Sequence, residues 1–185
     1  MPMHSAGLAE SGILASLTDD PEEGAFFSLR FGPEHGVLPM AEELRDTLAA
    51  RGGRSRIINM TAGGDIDTAV FQGIEECGTF VVFGSQHYGE DTGNQACTYN
   101  EYKHAFTMRK RIVLLRMIPF DQDFDELQAR VIFGANKLVI PWMLGTPMPP
   151  DLPDKLLEVM RIGRSAEQDP LVKSSSAALC PAPSA

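Results

Sequence analysis

An arginine-aromatic pair in Arg30-Phe31-Gly32, a polar segment Ser85-Gln86-His87-Tyr88 and a glutamate, Glu101, have types suited to joint work on a nucleotide. A guanidinium holds phosphate oxygens through paired hydrogen bonds, and an aromatic ring such as Phe31 or Tyr88 stacks on a base. A carboxylate in a partly apolar crevice stabilises positive charge developing on a sugar, or attacks the sugar as a nucleophile. Together these groups suit cleavage of an N-glycosidic bond. They are scattered along the chain, so the fold must bring them to one place.

The elements that do this are legible as apolar runs and helical periods. Ala25 to Phe31 reads as a strand ended by Gly32-Pro33, and Leu38 to Arg51 as a helix that stops at Gly52-Gly53. Ser55 to Met60, with Ile57-Ile58 at its centre, predicts a second strand. After the loop Thr61 to Gly64, Asp65 is placed to cap a helix carrying Ile66, Ala69, Val70 and Ile74. Thr79 to Gly84 is the clearest buried strand. A polar loop from Ser85 to Gln95 leads into a helix from about Cys97 to Met108. Arg111 to Arg116 and Lys137 to Ile140 predict strands four and five, separated by a helix over Phe124 to Phe133. A last helix runs from about Pro153 to Ile162.

Strand and helix alternate five times, and each strand is a nearly continuous apolar run, as in a parallel sheet covered on both faces. The fold class expected is α/β: a flavodoxin-like, doubly wound, five-stranded parallel sheet of order 2-1-3-4-5. In such sheets a ligand sits beyond the carboxyl ends of the strands, where the winding reverses. That point lies between strands one and three. It selects Arg30, Phe31, Gly32, Ser85 and Tyr88 for substrate binding. It also selects Glu101, on the second turn of the helix that opens from the same loop.

Composition narrows the partners. The chain has 185 residues, with 16 Lys and Arg against 25 Asp and Glu, a formal net charge of −9. A protein that grips a phosphate backbone without sequence preference needs a basic field, so nucleic acid is not the expected partner. Three cysteines at wide spacing, Cys77, Cys97 and Cys180, form neither a disulfide framework nor a CxxC zinc motif. The histidines show no metal spacing, and no apolar stretch approaches the ~20 residues that cross a bilayer. A soluble, cytoplasmic protein is expected, without metal or membrane contact. Residues 1–24 read as a flexible acidic leader, 25–163 as the domain and 164–185 as a disordered tail. Neither G-x-G-x-x-G nor the P-loop pattern occurs, and Gly84-Ser85 stands where a response regulator needs an aspartate.

Five short motifs, in order, resemble those of TIR (Toll/interleukin-1 receptor) domains. They are Ala25 to Arg30 for the first strand, Leu44 to Leu48 for the first helix, Gly63-Gly64-Asp65-Ile66 after strand two, Phe80 to Tyr88 for strand three and its loop, and Cys97 to Tyr102 for the W-C-x-x-E-L segment. The resemblance covers about Ala25 to Met160. It implies an NAD+-cleaving activity in signalling or defence, releasing nicotinamide and leaving ADP-ribose or a cyclic isomer. Glu101 is the matching catalytic residue, and Arg30 and Phe31 match positions bordering the nucleotide. NAD+ is then substrate, and no cofactor or metal is implied. The resemblance also implies self-association, with Gly63, Gly64, Asp65 and Ile66 as an assembly loop. Cys97 replaces the family's tryptophan; Trp142 lies near strand five instead. The pair Glu90-Asp91 would repel a pyrophosphate if it pointed inward. Two other functions fit parts of the pattern: a noncatalytic TIR assembly module, and a nucleoside deoxyribosyltransferase-like enzyme, which shares a related fold and a glutamate nucleophile.

Overall fold

The structure, a computed structural model, describes residues 24–32, 36–58, 66–135 and 138–167, with side chains described as far as residue 161. Five strands, β1 (Gly24–Leu29), β2 (Arg54–Arg56), β3 (Thr79–Gly84), β4 (Arg111–Arg116) and β5 (Leu138–Pro141), alternate with α1 (Val37–Ala50), α2 (Ile66–Glu75), α3 (Thr98–Thr107), α4 (Leu127–Gly134) and α5 (Leu152–Glu167). The sheet order is β2-β1-β3-β4-β5 and every pairing is parallel. The expected flavodoxin-like α/β fold is therefore present.

Alternation along the strands builds two cores. Phe27, Leu29, Val81, Phe83, Val113 and Leu115 point to the face packed by α1 and α5, where Leu44, Leu48, Trp142 and Leu156 complete the cluster. Phe26, Phe80, Val82 and Leu114 point to the other face, against Val70 and Ile74 of α2, Ala105 of α3 and Ile132 of α4. Phe26 and Phe80 are register partners and their rings stack at 5.8 Å. Ser28, two residues after Phe26, shares that second face, and nothing apolar satisfies its hydroxyl.

Several expected boundaries move. The second strand is Arg54–Arg56, earlier than Ser55–Met60, because an edge strand pairs through its backbone and needs no apolar run. Ile57 and Ile58 follow it, each packed against a different core. Strand β1 takes in Gly24, which pairs with Arg54, and α5 continues past Ile162 to Glu167, with no proline before Pro170 to break it. The first strand ends at Leu29, which leaves Arg30 and Phe31 just beyond the sheet. Helix α4 begins at Leu127 instead of Phe124, and Phe124 packs its ring 4.5 Å from Phe133. α1 does stop at the expected glycines: Gly52 adopts φ 80°, and the Gly53 N–H bonds Leu48 O at 2.8 Å. The expected leader, the tail beyond 167 and the loop residues Gly63, Gly64 and Asp65 lie outside the described residues.

Candidate active site

The carboxyl end of β1, the later part of the β3–α3 loop and the first turn of α3 converge on one cleft. Cys97 is the N-cap of α3, and the Glu101 N–H makes a first-turn bond to Cys97 O at 3.0 Å. Glu101 thus lies one turn earlier than its spacing from a Cys97 start implied. Its side chain points inward and is only 5% exposed. Ser28 Oγ donates to Glu101 Oε2 at 2.5 Å, and Tyr88 Oη lies 2.8 Å from the same Ser28 oxygen. With the serine proton given to Glu101, the tyrosine donates to Ser28. Tyr88 Oη also lies 3.4 Å from Thr98 O, and Thr98 Oγ1 accepts the Gly89 N–H at 3.0 Å. Strand β1, the β3–α3 loop and helix α3 are therefore tied together behind the carboxyl group.

Burial dominates the electrostatics. Removal from water pushes the Glu101 carboxyl up to about 8, and the Ser28 hydrogen bond opposes that shift by stabilising the anion. The Tyr88 hydroxyl is raised well above its ordinary value, first by burial and then by the neighbouring Glu101 charge. A carboxyl that titrates near neutrality at the end of a cleft is chemically available in both forms.

The cleft has a volume of about 90 Å³, with apolar walls from Leu29, Phe31, Ile58, Ile66, Val70 and Ala96. It holds one ring-sized group, against the ~300–1,000 Å³ of pockets that enclose a drug-sized ligand. Polar groups at it include Arg30, Glu90 and Glu101. Two roomier depressions, of about 520 and 580 Å³, sit where the strands begin, at the opposite end of the sheet. Acids at the larger one are exposed and paired, as in Arg56–Glu76 at 2.7 Å and Arg45–Asp46 at 2.8 Å. Of these three, the small cleft is the one with a buried carboxyl.

The structure brings together Arg30, Phe31 and Glu101 among the expected site residues. Tyr88 is corrected: it is fully buried, its ring belongs to the core packed by α2 and α3, and it has no free face for a base. Ser85 is also buried and outside the cleft lining; its Oγ has no hydrogen-bond partner among the described residues. Gly32, at φ 137°, likewise does not line the cleft. Arg30 lines it but already grips a carboxylate, Glu90 Oε2, at 2.9 Å from Nη2 and 3.0 Å from Nε. Ile66, expected in an assembly loop, opens α2 and forms part of the cleft wall. Ser28 was not anticipated. Its signal is a lone hydroxyl in an otherwise apolar strand, on the same pleat face as Phe26 and hence toward α3.

No family model matches the chain, and no curated protein matches it. Among solved structures it is similar to the CMP N-glycosidase BcmB of Clostridium botulinum, at 18% identity over 76% of this chain and 98% of that one, with a TM-score of 0.44. It is also similar to diflavin flavoprotein A3 of Nostoc sp., at 14% identity over 81% and 96%, with a TM-score of 0.36. Likeness this distant carries no functional reading.

Proposed function

We propose that the cleft hydrolyses the N-glycosidic bond of a nucleotide, with Glu101 as the catalytic carboxylate and NAD+ as the substrate. The observation that supports this reading is Glu101 itself: buried, held by Ser28, and raised to about 8 at the end of a ring-sized cleft. The C1′–N bond breaks and its electron pair leaves with the base. The anionic carboxylate faces the ribosyl cation that forms; water then bonds to C1′ and passes its proton to Glu101.

A second observation bears on the base. The cleft's other carboxylate, Glu90, keeps a side chain 41% exposed, so Glu101 is the one buried acid among the described cleft residues, and as the anion facing the ribosyl cation it has no proton to give a leaving group. A pyridinium base leaves as a neutral molecule and needs no such proton. Its positive charge also favours the ionised form of Glu101 on binding. That is the chemistry of nicotinamide release from NAD+, as the TIR resemblance implies. Capture of C1′ by a nitrogen of the substrate's own adenine, in place of water, gives the cyclic isomer. Self-association through Gly63, Gly64, Asp65 and Ile66 belongs to the same reading; of these four, Ile66 alone is among the described residues.

The test is NAD+ turnover by purified protein over a concentration series, with products separated by chromatography and Glu101→Gln run in parallel. Nicotinamide release that falls roughly 10²- to 10³-fold in the variant is expected. Equal release by both proteins removes Glu101 from the reaction. Faster cleavage of a neutral-base nucleotide such as AMP overturns the choice of base. Assembly without turnover at any concentration favours the noncatalytic module.

A further inference from the structure

Among the described cleft residues Arg30 is the one cation, and it is already occupied. Two guanidinium nitrogens converge on a single oxygen of Glu90, and these are the donors a phosphate would need at this cleft. The loop, and not the ion pair alone, puts Glu90 in place. Gly89 adopts φ 86°, and an added Cβ would lie 3.3 Å from the Ala129 backbone nitrogen. The Gly89 N–H is tied to Thr98, and the Glu90 N–H bonds His87 O at 3.3 Å. Asp91 behaves differently: its Oδ1 accepts the Gly93 N–H at 2.9 Å and its side chain is exposed. Of the two adjacent acids, only Glu90 lines the cleft. The Arg30 and Glu90 side chains remain 26% and 41% exposed, so water reaches the pair and it contributes little to stability.

We propose that Glu90 is an internal competitor for phosphate and so a specificity-determining residue: a phosphorylated ligand must take Arg30 from it, whereas an unphosphorylated nucleoside enters without breaking the pair. The proposal rests on the N-glycosidase reading for the identity of the ligands and explains how an acidic protein limits which anions reach Glu101.

Calorimetric binding of ADP-ribose and of adenosine to wild type, Glu90→Gln and the double variant Glu90→Gln/Arg30→Gln tests it. Glu90→Gln should tighten ADP-ribose roughly tenfold at low salt, less at high salt, and leave adenosine unchanged. The double variant should lose that gain. ADP-ribose affinity that is unchanged or weaker in Glu90→Gln, or adenosine tightened as much as ADP-ribose, overturns the proposal while leaving the N-glycosidase reading intact. Failure of both ligands to bind any of the three proteins overturns both.

Discussion

The two faces of the sheet are built from the same strands but do different work. On the face covered by α1 and α5, β1 contributes Ala25, Phe27 and Leu29, all apolar, to the core. On the opposite face β1 contributes Phe26 and then Ser28, and the core opens there into the Ser28–Tyr88–Glu101 network. One face is sealed; the other accepts a buried carboxyl at a cost in stability. The site is placed by strand parity: Ser28, on the pleat face toward α3, receives the carboxyl of Glu101 from that helix.

Truncation on the sealed face breaks this contrast most severely. Phe27→Ala removes a fully buried ring that packs 5.2 Å from Phe83, and should cost roughly 3–5 kcal/mol in denaturant unfolding, equally at pH 5 and pH 9. On the polar face the effect has the opposite sign. A carboxyl that titrates at about 8 when folded and at its ordinary value of 4.5 when unfolded binds more protons in the folded state between those values. Its burial is harmless below pH 4.5 and increasingly destabilising as pH rises to 8. Glu101→Gln should therefore leave unfolding nearly unchanged at pH 4.5 and stabilise the protein by several kcal/mol at pH 9. Equal effects at both pH values would mean that Glu101 is solvated, and the two faces would no longer differ.

The same contrast separates what was legible in the sequence from what was not. Continuous apolar runs such as Phe80-Val81-Val82-Phe83 announce strands buried on both faces, so element order and sheet order followed. Arg54-Ser55-Arg56 carries no such signal because an edge strand is held by backbone pairing to Gly24, Ala25 and Phe26. The rule that ligands sit at the winding switch selected Glu101 and Phe31, and the structure puts both at one cleft. It could not orient Tyr88, since an aromatic residue just past a strand can stack on a ligand or plug a core. Here the hydroxyl found Ser28, and the ring went inside. Arg30 was legible as a cation at the cleft, but its partner depends on the positive φ of Gly89, which turns Glu90 and not Asp91 inward.

Tyr88 and Ser28 give the smaller effects and sharpen the comparison most. Tyr88→Phe keeps the buried ring and deletes only the hydroxyl, leaving Ser28 Oγ without its donor. A loss of about 1–2 kcal/mol is expected, well below that of Phe27→Ala, because packing is preserved. Ser28→Ala acts on the carboxyl instead. The plot of kcat/KM against pH reports the free enzyme, so wild type should show activity rising with pH through a limb near 8, as the Glu101 anion forms. The Ser28 hydrogen bond holds that limb down, and its loss should move the limb to higher pH. At pH 7 the variant should then be slower, while well above the limb much of the rate should return. A purely structural serine would lower the rate by the same factor at every pH and leave the limb where it was; that outcome would reduce Ser28 to a core hydroxyl and leave burial alone to account for the titration of Glu101.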